Sequence, residues 1–126
     1  MDRSDARVRV QLADVYRALG DNEHAIEELQ AATRLDPSSV QAFTEYGEAL
    51  AAAGRKREAI AAFGIALKKN SRAGKALLGL ARVQLPDDPD AALLLLQRLV
   101  SLDPGFPGVG DALKAAREAK AAASPR

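Results

Sequence analysis

Hydrophobic positions recur along this chain at helical spacing and in copies. Val8, Leu12, Val15, Tyr16 and Leu19 lie three and four residues apart, which predicts the apolar face of a first helix. Gly20 predicts its end, since glycine takes the left-handed C′ conformation at little cost. Asn22 is a candidate cap for a second helix, whose inner face is predicted to be Ala25, Ile26, Leu29, Ala32 and Leu35. Asp36-Pro37 stops that helix, and Ser38 or Ser39 is suited to cap the next. The pattern then returns. Leu12 and Tyr46 stand 34 apart, as do Ala13 and Gly47, Gly20 and Gly54, Ala25 and Ala59, Leu29 and Phe63, and Ala32 and Ala66. Gly47 leads to Ala81 by the same step. Pro37 and Pro104, each in a Leu-Asp-Pro triplet, are 67 apart, one residue short of two periods. A fixed period of this size predicts stacked helical hairpins, none able to bury its apolar face alone.

Small residues hold matching places. Ala13, Gly47 and Ala81 in the first helices, and Ala25, Ala59 and Ala92 in the second, let helix backbones approach. Leu29, Phe63 and Leu96 fill the space one turn later. On these residues the chain resembles the tetratricopeptide repeat family, whose 34-residue pattern sets bulky, small, aromatic, Ala and Pro positions in order. The first copy supplies Leu12-Ala13, Tyr16, Ala25, Leu29, Ala32 and Pro37. The second supplies Phe43, Tyr46-Gly47, Leu50, Ala59, Phe63 and Ala66. The third supplies Leu77, Leu80-Ala81, Ala92, Leu96, Leu99 and Pro104. There are departures. Trp is absent, Arg9 stands where a bulky residue is usual, Ser71 replaces a closing proline and Gln84 replaces a Tyr or Leu. The third copy is one residue short near Leu85-Pro86-Asp87-Asp88-Pro89. Its inter-helix turn should be unusual, with Asp88 as cap and Pro89 in the first helical position.

The resemblance implies an all-α fold, a right-handed α-solenoid of antiparallel helix pairs with about seven helices. The expected repeats are 6–39, 40–73 and 74–106, inside one domain spanning 1–126. An amphipathic helix at about 109–122, with Ala112, Leu113, Ala116 and Ala119 on one side, is expected to close the stack. The tail from Ala121 to Arg126 is expected to fray.

Composition narrows the function classes. A net charge of +1 gives no global field for nucleic acid or an anionic membrane. The absence of cysteine removes disulfides, thiol nucleophiles and thiolate metal sites. The longest apolar run, Ala91 to Leu96, is too short to insert in a membrane. No signal peptide is visible at Met1-Asp2-Arg3-Ser4-Asp5, which leaves the cytoplasm as the default, although the chain could be cut from a larger protein. His24, the single histidine, reads as a solvated residue, since a metal site would need Asp21, Glu27 or Glu28 to join it. Glu27-Glu28 reads as a solvated face and Asp87-Asp88 as capping. Gly105-Phe106-Pro107-Gly108-Val109-Gly110 lacks the strand and Lys-Ser/Thr of a phosphate loop and reads as a connector. Lys68-Lys69 and Arg55-Lys56-Arg57 read as helix-end and turn charges. No metal, cofactor or catalytic residue is expected, and an enzyme is disfavoured.

What remains is a surface. In relatives, positions 2, 5, 9 and 12 of each repeat line the concave side. By position these are Arg7, Val10, Asp14 and Arg17, then Gln41, Thr44, Glu48 and Ala51, then Lys75, Leu78, Arg82 and Leu85. The expected function is a non-catalytic protein-interaction scaffold that binds a peptide or partner segment in that groove. It would act alone or as an adaptor in a bacterial-type secretion, pilus or envelope assembly, and the Ala- and Arg-rich style points to a GC-rich genome. The ligand is expected to be extended or helical, with an apolar anchor and acidic residues. The alternative is a self-associating assembly domain, a homo-oligomer packed through its ends or groove. The chaperone-tail version of the family holds a terminal carboxylate with Lys, Asn, Asn, Lys and Arg. The matching positions here are Val10, Asp14, Glu45, Lys75 and Gly79, of which Lys75 alone agrees, so a chaperone-tail clamp is not expected.

Overall fold

A computed structural model of the protein describes residues 3–123. Met1-Asp2 and the last three residues of the tail lie outside them. The described residues form seven helices and no strand: α1 (Arg3–Ala18), α2 (Asn22–Leu35), α3 (Val40–Ala52), α4 (Lys56–Lys69), α5 (Gly74–Gln84), α6 (Pro89–Leu102) and α7 (Val109–Ala123). The expected fraying at Ala121 is not seen, because α7 runs on to Ala123.

Each junction has a local cause. Gly20 and Gly54 hold φ of +79° and +78°, the left-handed turn that ends α1 and α3. The cap of α2 is Asp21 rather than Asn22: the Asp21 carboxylate accepts from the His24 backbone N–H, and Asn22 is the first helical residue. Ser39 caps α3 through the Ala42 N–H, and Asp88 caps α6 through the Ala91 N–H, with Pro89 following. The turn of the third pair is indeed different. No glycine is present, Leu85 stays right-handed, and the N–H groups of Asp87 and Asp88 both donate to the Gln84 carbonyl. This tighter reversal absorbs the missing residue.

The helices pack as three antiparallel pairs, α1 with α2, α3 with α4 and α5 with α6, and α7 closes the last against α6. Each second helix also packs on the first helix of the next pair, α2 on α3 and α4 on α5. First helices touch one another, α1 on α3, α3 on α5 and α5 on α7, while no second helix touches another among the described residues. The stack therefore curves with α1, α3, α5 and α7 on the concave side.

Phe63 is the largest fully buried side chain, at 1% exposure. Its ring stands between two glycines of different helices. A Cβ added at Gly47 of α3 would meet it at 2.8 Å, and one added at Gly79 of α5 at 2.5 Å. In the first and third pairs the matching residues are Leu29 and Leu96, and they face Ala13 and Ala81 instead. The larger ring of the middle pair takes the room of the missing methyl groups.

One expectation is overturned in α1. The face predicted to be buried is mostly in solvent: Val8 is 57% exposed, Leu12 37%, Val15 55% and Leu19 74%. The buried face is Ala6, Val10 and Ala13, on the opposite side of the helix. Periodicity locates an apolar stripe but not its neighbour, and no other helix among the described residues covers this one. Glu28 also departs from its reading as a solvated residue. It binds Arg9 at 2.8 Å, and so explains the arginine at a usually bulky position.

Charged turns are stitched from pair to pair. Arg55 binds Glu58 at 2.8 Å and approaches Glu23 at 3.9 Å, and Lys56 reaches Asp87 at 2.9 Å. These pairs are exposed, and each contributes about 0–1 kcal/mol. They use the basic triplet at the turn for structure.

Candidate functional site: the concave groove

A hollow of about 630 Å³ opens on the concave side between α3, α5 and the α6–α7 connector. Its floor is apolar, made by Leu78, Val83 and the edge of Phe63 that remains between the two glycines. Phe106 and Pro107 of the connector form its far wall. The connector is held there by close packing, since a Cβ at Gly74 would meet the Phe106 ring at 2.4 Å. Gly108, at φ +86°, brings the backbone against the Arg82 guanidinium.

Of the expected groove residues, Arg17, Glu48, Ala51, Lys75, Leu78 and Arg82 line this hollow together. The others lie elsewhere. Val10 and Thr44 are 7% and 5% exposed, and the Thr44 hydroxyl donates to the Val40 carbonyl, so both are packing residues. Arg7, Asp14 and Gln41 are exposed toward the N-terminal end of the concave side. Leu85 belongs to a separate cleft between α5 and α7, beside Leu96 and Ala112. Sequence reasoning missed Lys56, Phe63, Phe106 and Pro107 as lining residues. The available signal was an aromatic in a glycine-rich connector, which has no role there unless it packs.

The charges are arranged unevenly. Arg17 and Glu48 face each other across the rim at 3.6 Å. Lys75 and Arg82 make no ion pair among the described residues. The α5 side of the hollow therefore presents two cations without an ion-pair partner beside an apolar floor.

Next to it, Glu45 of α3 is half-buried. Its Oε2 is shut away from solvent without a hydrogen-bond partner of good geometry. Burial first, then the adjacent Asp14 carboxylate, push the Glu45 carboxyl from the ordinary 4.5 up to about 7, while Gln41 acts weakly the other way. A carboxyl with a raised folded pKa stabilises the fold fully below about pH 4.5. That contribution is lost as pH rises toward about 7. After allowance for solvent screening it is worth on the order of 1–2 kcal/mol. Glu45→Gln should flatten the pH dependence and make the variant the more stable form above neutrality. Urea denaturation at about pH 5 and about pH 8 checks this, and equal slopes for both proteins would refute it.

His24 is 58% exposed at its side chain, pairs with Asp21 and stacks on the Tyr16 ring at 5.0 Å between centroids. No group of three or more His, Cys, Asp or Glu side chains suited to a metal occurs among the described residues. No helix there is long and apolar enough to cross a membrane.

An apolar hollow walled by stacked helical hairpins is the architecture of a protein-interaction module. The comparisons with known proteins agree. A TPR repeat model matches residues 13–54, and a tetratricopeptide repeat model matches residues 48–107. The chain belongs to the tetratricopeptide repeat family, as three repeats closed by a capping helix. No curated protein sequence matches it significantly. Among solved structures it is similar to the first TPR of Spaghetti (RPAP3) bound to an HSP90 peptide, SRMEEVD, at TM-score 0.91 and 19% identity, covering 96% of this chain and 97% of that one. It is similar to MamA at TM-score 0.84 and 26% identity, covering 93% of this chain and 64% of that one. It is also similar to the TPR2B domain of yeast Sti1 in a pHsp70 complex, at TM-score 0.85 and 18% identity, covering 91% and 98%. The family is in general a non-catalytic fold for binding proteins and peptides.

Proposed function

We propose that this chain binds a peptide segment of a partner protein in the concave hollow, without catalysis, and that the segment carries an apolar anchor and acidic residues. The observation that carries the reading is the pairing of an apolar floor with Lys75 and Arg82, which have no acidic partner of their own. The anchor would sit between Leu78, Val83 and Phe106, and acidic residues beside it would meet the two cations. Arg17, Glu48 and Ala51 would form the opposite rim. Arg7, Asp14 and Gln41 would contact only a longer ligand that runs toward α1.

Two relatives in fold are solved with chaperone peptides, but the features of this groove favour another ligand. Exposed Asp14 and half-buried Glu45 put adjacent acidic groups where a terminal carboxylate would have to dock, and like charges repel. At Gly79 the space is taken by the Phe63 ring. Val10 is buried.

The test is fluorescence polarisation with acidic-apolar peptides selected on the wild-type protein. Lys75→Glu with Arg82→Glu should weaken binding at least about tenfold, equivalent to about 1.4 kcal/mol, with the fold intact by circular dichroism. Unchanged affinity would sink the reading, and so would micromolar binding of an EEVD-ending peptide for the part that excludes chaperone tails.

A further inference from the structure

The exposed stripe of α1 has the form of an interface. At the matching positions of α3, Ala42 and Ala49 are fully buried and Tyr46 is half-buried. At those of α5, Ala76, Leu80 and Val83 are buried. There α2 and α4 of the preceding pairs pack on the helix. In α1 the same positions carry Val8, Leu12 and Val15, joined by Leu19 one turn on, and among the described residues no further helix packs over them. They are bulkier on the whole than their covered counterparts. Scattered exposed apolar residues are ordinary, but a continuous stripe over about three turns is not.

We propose that two copies of this chain pair through the Val8, Leu12, Val15 and Leu19 stripe of α1, antiparallel about a two-fold axis. Three observations select this occupant. The spacing of 4, 3 and 4 residues is the two-helix seam, with Leu12 and Leu19 at a and Val8 and Val15 at d. In antiparallel register each a faces a d, so Val8 meets Leu19 of the partner subunit and Leu12 meets Val15 of the partner subunit. Every layer then joins one Val to one Leu. A parallel pair would place Leu at a and Val at d, the reverse of the two-stranded preference.

The second observation is the opposite end of the stack. The outer side of α7 exposes Asp111, Lys114, Arg117 and Glu118. Head-to-tail stacking would set the stripe against those charges, whereas a two-fold pair sets it against itself. The third is the flank of the seam. Its charged member, Arg9, is already bound by Glu28 at 2.8 Å, so two copies bring no unpaired like charges together. Asp5, one heptad before Leu12, and Gly20 limit the seam to its two ends. Arg17 lies on the other side of α1, so the groove of each copy stays open.

A seam this short lies at the small end of specific interfaces, and the dimer is weak and concentration-dependent. Sedimentation equilibrium of the full chain should show an apparent mass rising toward twice the monomer value with concentration. Val15→Glu with Leu19→Glu should hold it at the monomer mass with helicity unchanged, since both side chains are in solvent in the monomer. Leu94→Glu, at the 70% exposed leucine of α6, should leave dimerisation as in wild type. The chain has no cysteine, so chains carrying Val8→Cys and Leu19→Cys can be mixed and oxidised. The crossed disulfide should exceed either self-disulfide several-fold. A wild type that stays monomeric, leaving the stripe to a helix of another protein, would overturn the proposal. So would undiminished dimerisation of the double Glu variant, loss of it in Leu94→Glu, or a preference for self-disulfides.

Discussion

Phe63→Ala should remove about 3–5 kcal/mol of stability, a large share of the total for a domain of this size. The ring is 1% exposed and fills a slot against Gly47 of α3 and Gly79 of α5. Glycine flanks it on both sides, so alanine leaves a cavity with no neighbouring side chain able to relax into it. The slot also joins successive pairs, and in a repeat stack that interface is what makes the pairs fold together. Chemical denaturation should therefore show a lower midpoint and a less cooperative transition. A loss below about 1 kcal/mol would mean that the slot collapses, and that the ring is not the wedge described here. The same substitution deepens the groove floor, so peptide affinity should fall even where the variant is folded.

Gly79→Ala should be destabilising by about 1–2 kcal/mol, although glycine to alanine inside a helix ordinarily gains up to about 1 kcal/mol. The new methyl would lie 2.5 Å from the Phe63 ring, and the ring has little room to retreat, because it also lies so close to the α3 backbone that a Cβ at Gly47 would meet it at 2.8 Å. Overpacking then outweighs propensity. Gly64 of α4 supplies the contrast, since a Cβ there meets nothing within 4 Å, and Gly64→Ala should stabilise by about 0.5–1 kcal/mol. In a Phe63→Leu background the cost of Gly79→Ala should vanish or reverse, a coupling of at least about 1 kcal/mol in a double-mutant cycle. If both glycines respond with the same sign, or if the cost survives in Phe63→Leu, steric conflict is not the cause.

These contrasts mark how far the residues alone could be read. The small position at 13, 47 and 81 and the large one at 29, 63 and 96 are visible as a period, and so is the stop at Gly20 and Gly54. The reason Gly47 is smaller than Ala13 is not visible, because it depends on how closely the Phe63 ring of α4 packs on α3. The groove was legible in part. Arg17, Glu48, Lys75, Leu78 and Arg82 follow from position in the repeat and come together in the hollow. Phe106 and Pro107 do not follow from it, because the connector that carries them is outside the repeat pattern. Val10 and Thr44 fit the positional rule yet are buried, since the spacing of α1 from α3 decides whether an inner-face residue is open. The raised pKa of Glu45 comes from burial and from Asp14, 31 residues away in sequence, lying beside it.

The sequence by itself determined the helices, their ends, their period and their family, because these depend on residues within a turn or two of each other. The tertiary structure alone decided which apolar faces are covered. A helix carries the same stripe whether or not a neighbour lies on it. In α3 and α5 the preceding pair supplies that neighbour. In α1 no helix among the described residues does, and Val8, Leu12, Val15 and Leu19 are exposed there.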